Sequence, residues 1–297
     1  MKYCVLYNPL ARNSTCEESL EKLKEFLSED DFVVEDMTKI SSYKDFFASL
    51  DPERGIIVCG GDGTLNRFVN DTDGIDYKND VYYFAGGSGN DFWNDLGRKY
   101  GDEPICINKY IENLPTIFVN GMQRKFINGI GYGIDGYCCE EGDRLRETSD
   151  KPINYTSIAI KGLLYAFKPR NAELSVDGET KSYKKAWLVP TMNGRFFGGG
   201  MMPTPAQDRL NPEHKLSTMV FYGHGKLKTL MIFPNIFKGT HVKDKKVEVF
   251  TGKDITVKFD RPTPLQIDGE TVSNVTEYTV HAAKAPAKEE TKEFAAV

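Results

Sequence analysis

The stretch Gly55-Ile56-Ile57-Val58-Cys59-Gly60-Gly61-Asp62-Gly63-Thr64-Leu65-Asn66 constrains the fold more than any other part of the chain. Its apolar run, Ile56–Cys59, stops at a glycine-rich turn, and a helix-compatible segment, Leu65–Asn70, follows. The order is buried strand, tight turn, helix. Glycines let the backbone N–H groups of such a turn approach phosphate oxygens, and the helix dipole favours negative charge there. Asp62 is the odd member, because a carboxylate in an anion-binding loop implies a cation, a hydroxyl or a proton transfer nearby. A plain strand–helix turn accounts for the glycines, but less readily for Asp62 and Thr64.

The flanking sequence supports an α/β unit over residues 1–120. Tyr3–Tyr7, Phe32–Val34, Ile56–Cys59 and Val81–Ala85 read as strands, and Glu17–Leu27 and Ser42–Leu50 carry helical apolar spacing. Alternation of this kind implies a parallel sheet covered by helices, with ligands at the carboxyl ends of its strands. Three polar loops, Asn8–Asn13, Gly60–Asn66 and Gly86–Asp91, each follow a strand and are expected at that edge. From about residue 115 short β-rich runs dominate, which indicates an antiparallel sandwich or barrel over 121–280. Helical stretches at Ile153–Phe167 and Lys226–Phe237 interrupt it. The tail, 281–297, reads as a solvated helix or frayed end.

Composition narrows the functional classes. No run approaches the roughly 18 apolar residues that span a bilayer, the start lacks the pattern of a signal peptide, and the expected location is cytoplasmic. The 6 cysteines have no CxxC spacing and the 4 histidines no ligand pattern. Net charge is −5, which with the absence of a nucleic-acid motif argues against nucleic-acid binding. The charge is uneven: residues 1–149 hold 16 basic and 27 acidic residues, and 150–297 hold 22 and 16. The basic surplus of the second half would suit an anionic membrane surface, or it is ordinary variation between solvated surfaces.

Two further segments carry chemistry. Gly87-Ser88-Gly89-Asn90-Asp91-Phe92 is a second glycine loop after a strand: Ser88 can donate to a phosphate oxygen, and Asn90 and Asp91 can cap the following helix. In Asp268-Gly269-Glu270, carboxylates two residues apart would face one side of an extended segment. The rival reading is an Asp-Gly hairpin turn followed by a solvated Glu, and Asp177-Gly178-Glu179 repeats the same tripeptide.

Together, Asn8-Pro9, Gly60–Asn66, Gly87–Phe92, Asn128–Asp135, Gly198–Met201 with Pro205-Ala206, and Gln266–Glu270 resemble the diacylglycerol kinase catalytic domain shared with sphingosine and ceramide kinases. The soluble bacterial lipid-kinase branch looks most similar, and the match runs in order from residue 3 to about 280. The resemblance implies an N-terminal domain like those of NAD kinase and phosphofructokinase, and a C-terminal β-sandwich for the lipid. It implies ATP contacts at Asn8, Pro9, Leu10, Ala11 and Arg12, at Thr38, along Gly60, Gly61, Asp62, Gly63, Thr64, Leu65, Asn66 and Arg67, and at Ser88, Asn90 and Asp91. Glu270 would accept the proton of the lipid hydroxyl, Asp268 would assist it or help place a metal, and Asp62 would sit beside Mg²⁺ and the γ-phosphate.

Three positions depart from the family pattern. Arg67 stands where Glu is frequent, and Ser88 stands where Thr is usual. The third is Pro205-Ala206-Gln207-Asp208-Arg209, which lacks the Asp-Gly turn associated with a structural magnesium, so that auxiliary site is in question. The reading is an ATP-dependent lipid kinase with a diacylglycerol-like acceptor that meets a membrane surface transiently. Its rivals are a NAD or sugar kinase using the same loop and a non-catalytic nucleotide- or lipid-binding regulator. Phe196, Phe197, Met201 and Met202 favour an apolar pocket. The oligomeric state is open, a homodimer included.

Overall fold

A computed structural model describes residues 2–9, 15–86, 89–148 and 153–283, excluding the side chains of 15–17. The first domain runs β1 (Tyr3–Tyr7), α1 (Thr15–Leu23), β2 (Phe32–Asp36), α2 (Tyr43–Ser49), β3 (Gly55–Gly60), α3 (Asp62–Asp71), β4 (Val81–Ala85), α4 (Asp91–Asp95), β5 (Ile105–Cys106) and α5 (Asn108–Ile111). Its sheet has the order β2-β1-β3-β4-β5. The first four strands are parallel, and β5 is an antiparallel edge. Every residue of β3 is buried, as expected for a parallel strand with both faces covered. Ile56 and Val58 face α2 and α3 through Phe47, Leu65 and Phe68, whereas Ile57 and Cys59 pack with Leu23 of α1 on the other face.

The second domain runs β6 (Thr116–Val119), β7 (Met122–Lys125), β8 (Gly129–Tyr132), α6 (Ile134–Thr148), α7 (Tyr155–Lys161), β9 (Arg170–Val176), β10 (Glu179–Leu188), β11 (Thr191–Met192), β12 (Leu216–Tyr222), α8 (Lys226–Ile232), β13 (Val247–Gly252), β14 (Asp254–Ile267) and β15 (Glu270–His281). All its strand pairs are antiparallel. The long β14 pairs with β9 through Ile255–Phe259 and with β8 through Leu265–Ile267, so the sheet closes on itself around one core. Tyr132 stacks on Phe259 there at 3.9 Å.

The α/β domain and the antiparallel β-rich domain agree with the sequence expectation. β6 already pairs with β15, so the second sheet takes up the chain at Thr116. Two helices escaped the sequence reading, the four-residue α5 and the longer α6 that follows β8. The strand stops at Gly133, whose φ of +110° suits glycine and whose Cβ would lie 2.5 Å from the Trp187 carbonyl oxygen. α6 then begins, and much of its length carries charged residues that obscure a helical apolar stripe. The tail beyond residue 283, on which a helix or frayed end was expected, lies outside the described residues.

Candidate active site

The carboxyl ends of β1 to β4 bring the expected loops to one edge. Asn8-Pro9 follows β1, and a 3-10 turn, Met37–Lys39, follows β2. Its Thr38 donates from N and Oγ1 to Asp36 Oδ1, at 2.9 and 2.6 Å. Leu10, Ala11, Arg12, Asn13 and Ser88 lie outside the described residues.

Helix α3 starts at Asp62, with Gly61 as its N-cap residue. Asp62 Oδ2 accepts the Asp91 N–H at 2.8 Å, and Oδ1 accepts the Phe92 N–H at 3.0 Å. The carboxylate in the phosphate-type loop therefore caps α4, and each oxygen retains further acceptor capacity. The capping expected from Asn90 and Asp91 is corrected. Asn90 sits at φ +46° with no capping hydrogen bond from its side chain. Asp91 points instead to the second domain, where it accepts the Gly199 and Gly200 N–H groups at 2.8 and 2.7 Å. Burial raises the Asp91 carboxyl to about 7, the Asp62 charge adds to the rise, and the two glycine N–H groups oppose it.

Around this junction the backbone is bare. A Cβ on Gly63, Gly199 or Gly200 would meet nothing within 4 Å, and Gly89 lies beside Asp62 and Gly199. Thr64 and Leu65 turn inward: Gly60 is glycine because a Cβ there would strike Thr64, and Leu65 is core. The Gly61–Gly63 backbone and Asp62 thus border the open cleft, and Thr64 and Leu65 can contribute backbone only. Arg67 lies along α3, paired with Asp71 at 3.2 Å.

Asp268-Gly269 is a two-residue hairpin turn between β14 and β15, with φ of +46° and +90°, the signature of a type I′ turn. Asp177-Gly178, with φ of +50° and +88°, forms the same turn between β9 and β10. Their surroundings differ. Asp177 is exposed and accepts the Lys253 and Asp254 N–H groups. The Asp268 carboxylate is buried and accepts four hydrogen bonds: Ile127 N at 2.6 Å, Asn128 N and Gly129 N at 2.9 Å, and Asn66 Nδ2 at 2.7 Å. Burial still raises its pKa, against those donors. Asp268 is thus saturated by protein, which suits positioning rather than taking a proton or holding a metal. Asn66 is equally committed, since its Oδ1 accepts from Arg124, and Arg124 also pairs with Glu270. Glu270 is half-exposed at the end of this relay. Sequence reasoning missed Arg124: one arginine in a short hairpin gives no local signal.

A second cross-domain cluster was also missed. Asp95, at the end of α4, is buried against Arg209 and Arg195, with Arg195 Nε at 2.7 Å. Arg209 also donates to Ile127 O and Asn128 Oδ1 and lies over the Phe92 ring. Arg209 belongs to the segment that lacks an Asp-Gly turn. Gln207 Nε2 donates to Asn193 O and Lys215 O at 3.2 and 3.0 Å, and Asn211 Nδ2 donates to Asp208 O at 2.7 Å. Side-chain amides therefore close this turn, and its donor set does not fit a structural magnesium. Among the described residues no three His, Cys, Asp or Glu side chains are grouped to hold a metal. Asp62 beside an open cleft fits a weaker role, as one protein contact to a Mg²⁺ carried largely by phosphates.

Comparison with known proteins agrees with this architecture. Residues 2–116 match the diacylglycerol kinase catalytic domain, and 128–285 match the YegS C-terminal NAD kinase beta sandwich-like domain. The chain is 27% identical over 252 residues to YtlR of Bacillus subtilis, a provisionally named lipid kinase, covering 78% of each chain. It is 24% identical over 210 residues to a diacylglycerol kinase of Mycobacterium tuberculosis H37Rv, covering 68% of this chain and 66% of the other. A solved structure from Bacillus anthracis, provisionally named a diacylglycerol kinase, superposes with a TM-score of 0.67 at 18% identity, over 96% of this chain and 93% of that one.

Proposed function

We propose, from the premise that this chain belongs to the family joining a diacylglycerol kinase catalytic domain to a YegS-type C-terminal domain, that it transfers the γ-phosphoryl group of ATP to the hydroxyl of a diacylglycerol-like lipid. The observation that carries the reading is the link between the two motifs. Asn66 of the phosphate-loop helix holds Asp268, and the same Asn66, through Arg124, holds Glu270. The proton-accepting candidate is thereby fixed relative to the N-terminus of α3.

Phosphoryl transfer depends chiefly on positioning and charge neutralisation. The Gly61–Gly63 backbone and the α3 N-terminus receive phosphate oxygens. Asp62 fixes the α4 loop and offers a contact to Mg²⁺, which when bound neutralises charge on the phosphates. Glu270 takes the hydroxyl proton as the oxygen attacks, and Arg124 orients its carboxylate. The bare glycines on both sides of the cleft leave room for the reacting groups.

Asp62→Ala removes the carboxylate and the α4 cap. It is expected to cost about 1–2 kcal/mol of stability, which leaves the protein folded, and to abolish transfer of labelled phosphate from ATP to a total lipid extract. A folded Asp62→Ala protein with full activity would refute the assignment. Transfer to a nucleoside or sugar instead of lipid would favour the NAD- or sugar-kinase reading.

A further inference from the structure

The basic surplus of the second half is not spread over its surface. Residues 153–170 contain Lys161, Lys168 and Arg170, residues 223–243 contain Lys226, Lys228, Lys238 and Lys243, and neither segment contains an acidic residue. The rest of 150–297 holds 15 basic and 16 acidic residues. These two segments are also neighbours in space. The first forms α7 and a π-helical turn, Gly162–Ala166; the second forms α8 and the 3-10 turn Phe233–Lys238. Lys226 Nζ donates to Leu164 O at 2.7 Å, which ties the start of α8 to the π turn.

Both elements are apolar on two sides. Inward, Ile158, Leu163, Ile232 and Ile236 belong to the core. Outward, Tyr165 is 77% exposed and Leu227 and Met231 are each 72% exposed, with Ile160 and Phe237 also exposed. Leu227 and Met231 stand four residues apart, one turn along the same face of α8. Isolated exposed apolar residues need no explanation, but a set of large ones among a surplus of lysines is the composition of a surface that enters a lipid headgroup region. No described helix is long and apolar enough to cross a membrane.

We propose that this face, the π turn with α8, is where the protein docks on an anionic bilayer. Leu227, Met231 and Tyr165 enter the headgroup region, and Lys161, Lys168, Lys228 and Lys238 meet lipid phosphates. The occupant follows from charge complementarity: the two segments carry seven basic residues and no acidic one, and the carboxylates that neighbour them, Glu141 by Lys161, Asp244 by Lys228 and Asp260 by Arg170, leave a basic surplus that selects an anionic surface. The inner sides of the same elements reach the cleft segment. Met202 N donates to Ile236 O, and His241 Nε2 meets Pro203 O at 2.9 Å, just after the Gly198–Gly200 loop. A docked protein thus presents the segment beside its acceptor cleft to the membrane. This last point rests on the lipid-kinase reading; the docking itself does not.

The test is co-sedimentation of the full chain with vesicles of phosphatidylcholine alone or mixed equally with phosphatidylglycerol. Binding to the mixed vesicles is expected, and added salt should weaken it. Leu227→Glu/Met231→Glu should bind at least tenfold more weakly, and Lys228→Glu/Lys238→Glu should lose the preference for phosphatidylglycerol. Both variants should keep turnover on lipid dispersed in detergent micelles. Unchanged vesicle binding by both variants overturns the proposal. So does a wild-type dimer, seen by sedimentation velocity, that the Leu227/Met231 variant dissociates, because the face is then a contact between copies. Vesicle binding without phosphoryl transfer to any lipid refutes the kinase reading and leaves the docking face standing.

Discussion

Asp268→Asn and Glu270→Gln should fail in different ways, although the residues are two apart in one motif. Asp268 has two donors on each oxygen: Asn128 and Gly129 N–H on Oδ1, Ile127 N–H and Asn66 Nδ2 on Oδ2. Asparagine keeps the turn, because it tolerates positive φ. Its amide nitrogen, however, must face one of those donor pairs. Asn66 cannot answer by turning its own oxygen round, since Arg124 and Asn70 hold it. Two buried donors are left without an acceptor, at about 1–3 kcal/mol each. Neutralising a carboxylate whose burial is only partly compensated returns some of this, so a net loss of about 2–3 kcal/mol is expected. Glu270 is half-exposed with one ion-pair partner. Glu270→Gln should therefore change stability by no more than about 1 kcal/mol, yet lower kcat by roughly 10²–10⁴-fold if the carboxylate is the base.

The two tryptophans give the assay. Trp93 is buried in the first domain and Trp187 in the second. Urea unfolding followed in Trp93→Phe and Trp187→Phe backgrounds reads each domain separately. The transitions should coincide in the parent and separate in Asp268→Asn, because the clamp between domains is lost. Asp177→Asn in the twin turn should change nothing beyond about 1 kcal/mol. If Asp268→Asn unfolds like the parent in both backgrounds but transfers no phosphate, Asp268 takes part in the chemistry and the clamp argument is wrong.

The stability contributed by two buried carboxyl groups should fall as pH rises from about 4 to about 7. Asp135 is raised to about 6 by burial and Asp91 to about 7, so both favour the folded state when protonated and oppose it when ionised. Asp135→Asn should flatten the lower part of that slope in urea titrations at fixed pH and leave the part due to Asp91. Chelation of magnesium with EDTA should abolish phosphoryl transfer and leave the melting temperature of the nucleotide-free protein unchanged, because Gln207 and Asn211 close the turn where the family would place a structural ion. Gly86→Ala would put a Cβ 2.2 Å from Ser19 Oγ, and the resulting shift of α1 against β4 should cost about 1–3 kcal/mol in denaturant unfolding.

The first domain was legible because its signals are contiguous. Ile56–Cys59 and the glycines after it specify strand, turn and helix within a dozen residues, and the parallel sheet follows from repeating that pattern. What Asp268 does was not legible, because Asp177-Gly178 and Asp268-Gly269 make the same turn. They differ only in what the carboxylate meets, and Asn66 is 202 residues away from Asp268. The role of Asp91 was hidden similarly. A local reading offers it as a cap, whereas its acceptors are filled by Gly199 and Gly200 from the other domain. α6 was missed because much of its length carries charged residues.

These long-range contacts change what the glycine-rich segment at 198–200 is for. The N–H groups of Gly199 and Gly200 are spent on Asp91, so this segment receives a carboxylate from the first domain rather than a phosphate. At the other end of the cleft the direction is reversed: Asp268 of the second domain receives Asn66 of the first. Carboxylates thus cross the domain boundary in both directions, Asp91 to Gly199 and Gly200 and Asp268 to Asn66. A site fixed at both ends spends little binding energy on assembling itself, and what remains can act on the transition state. Loosening either link should therefore lower kcat more than it raises KM, whereas removing a contact that only holds the nucleotide should raise KM alone.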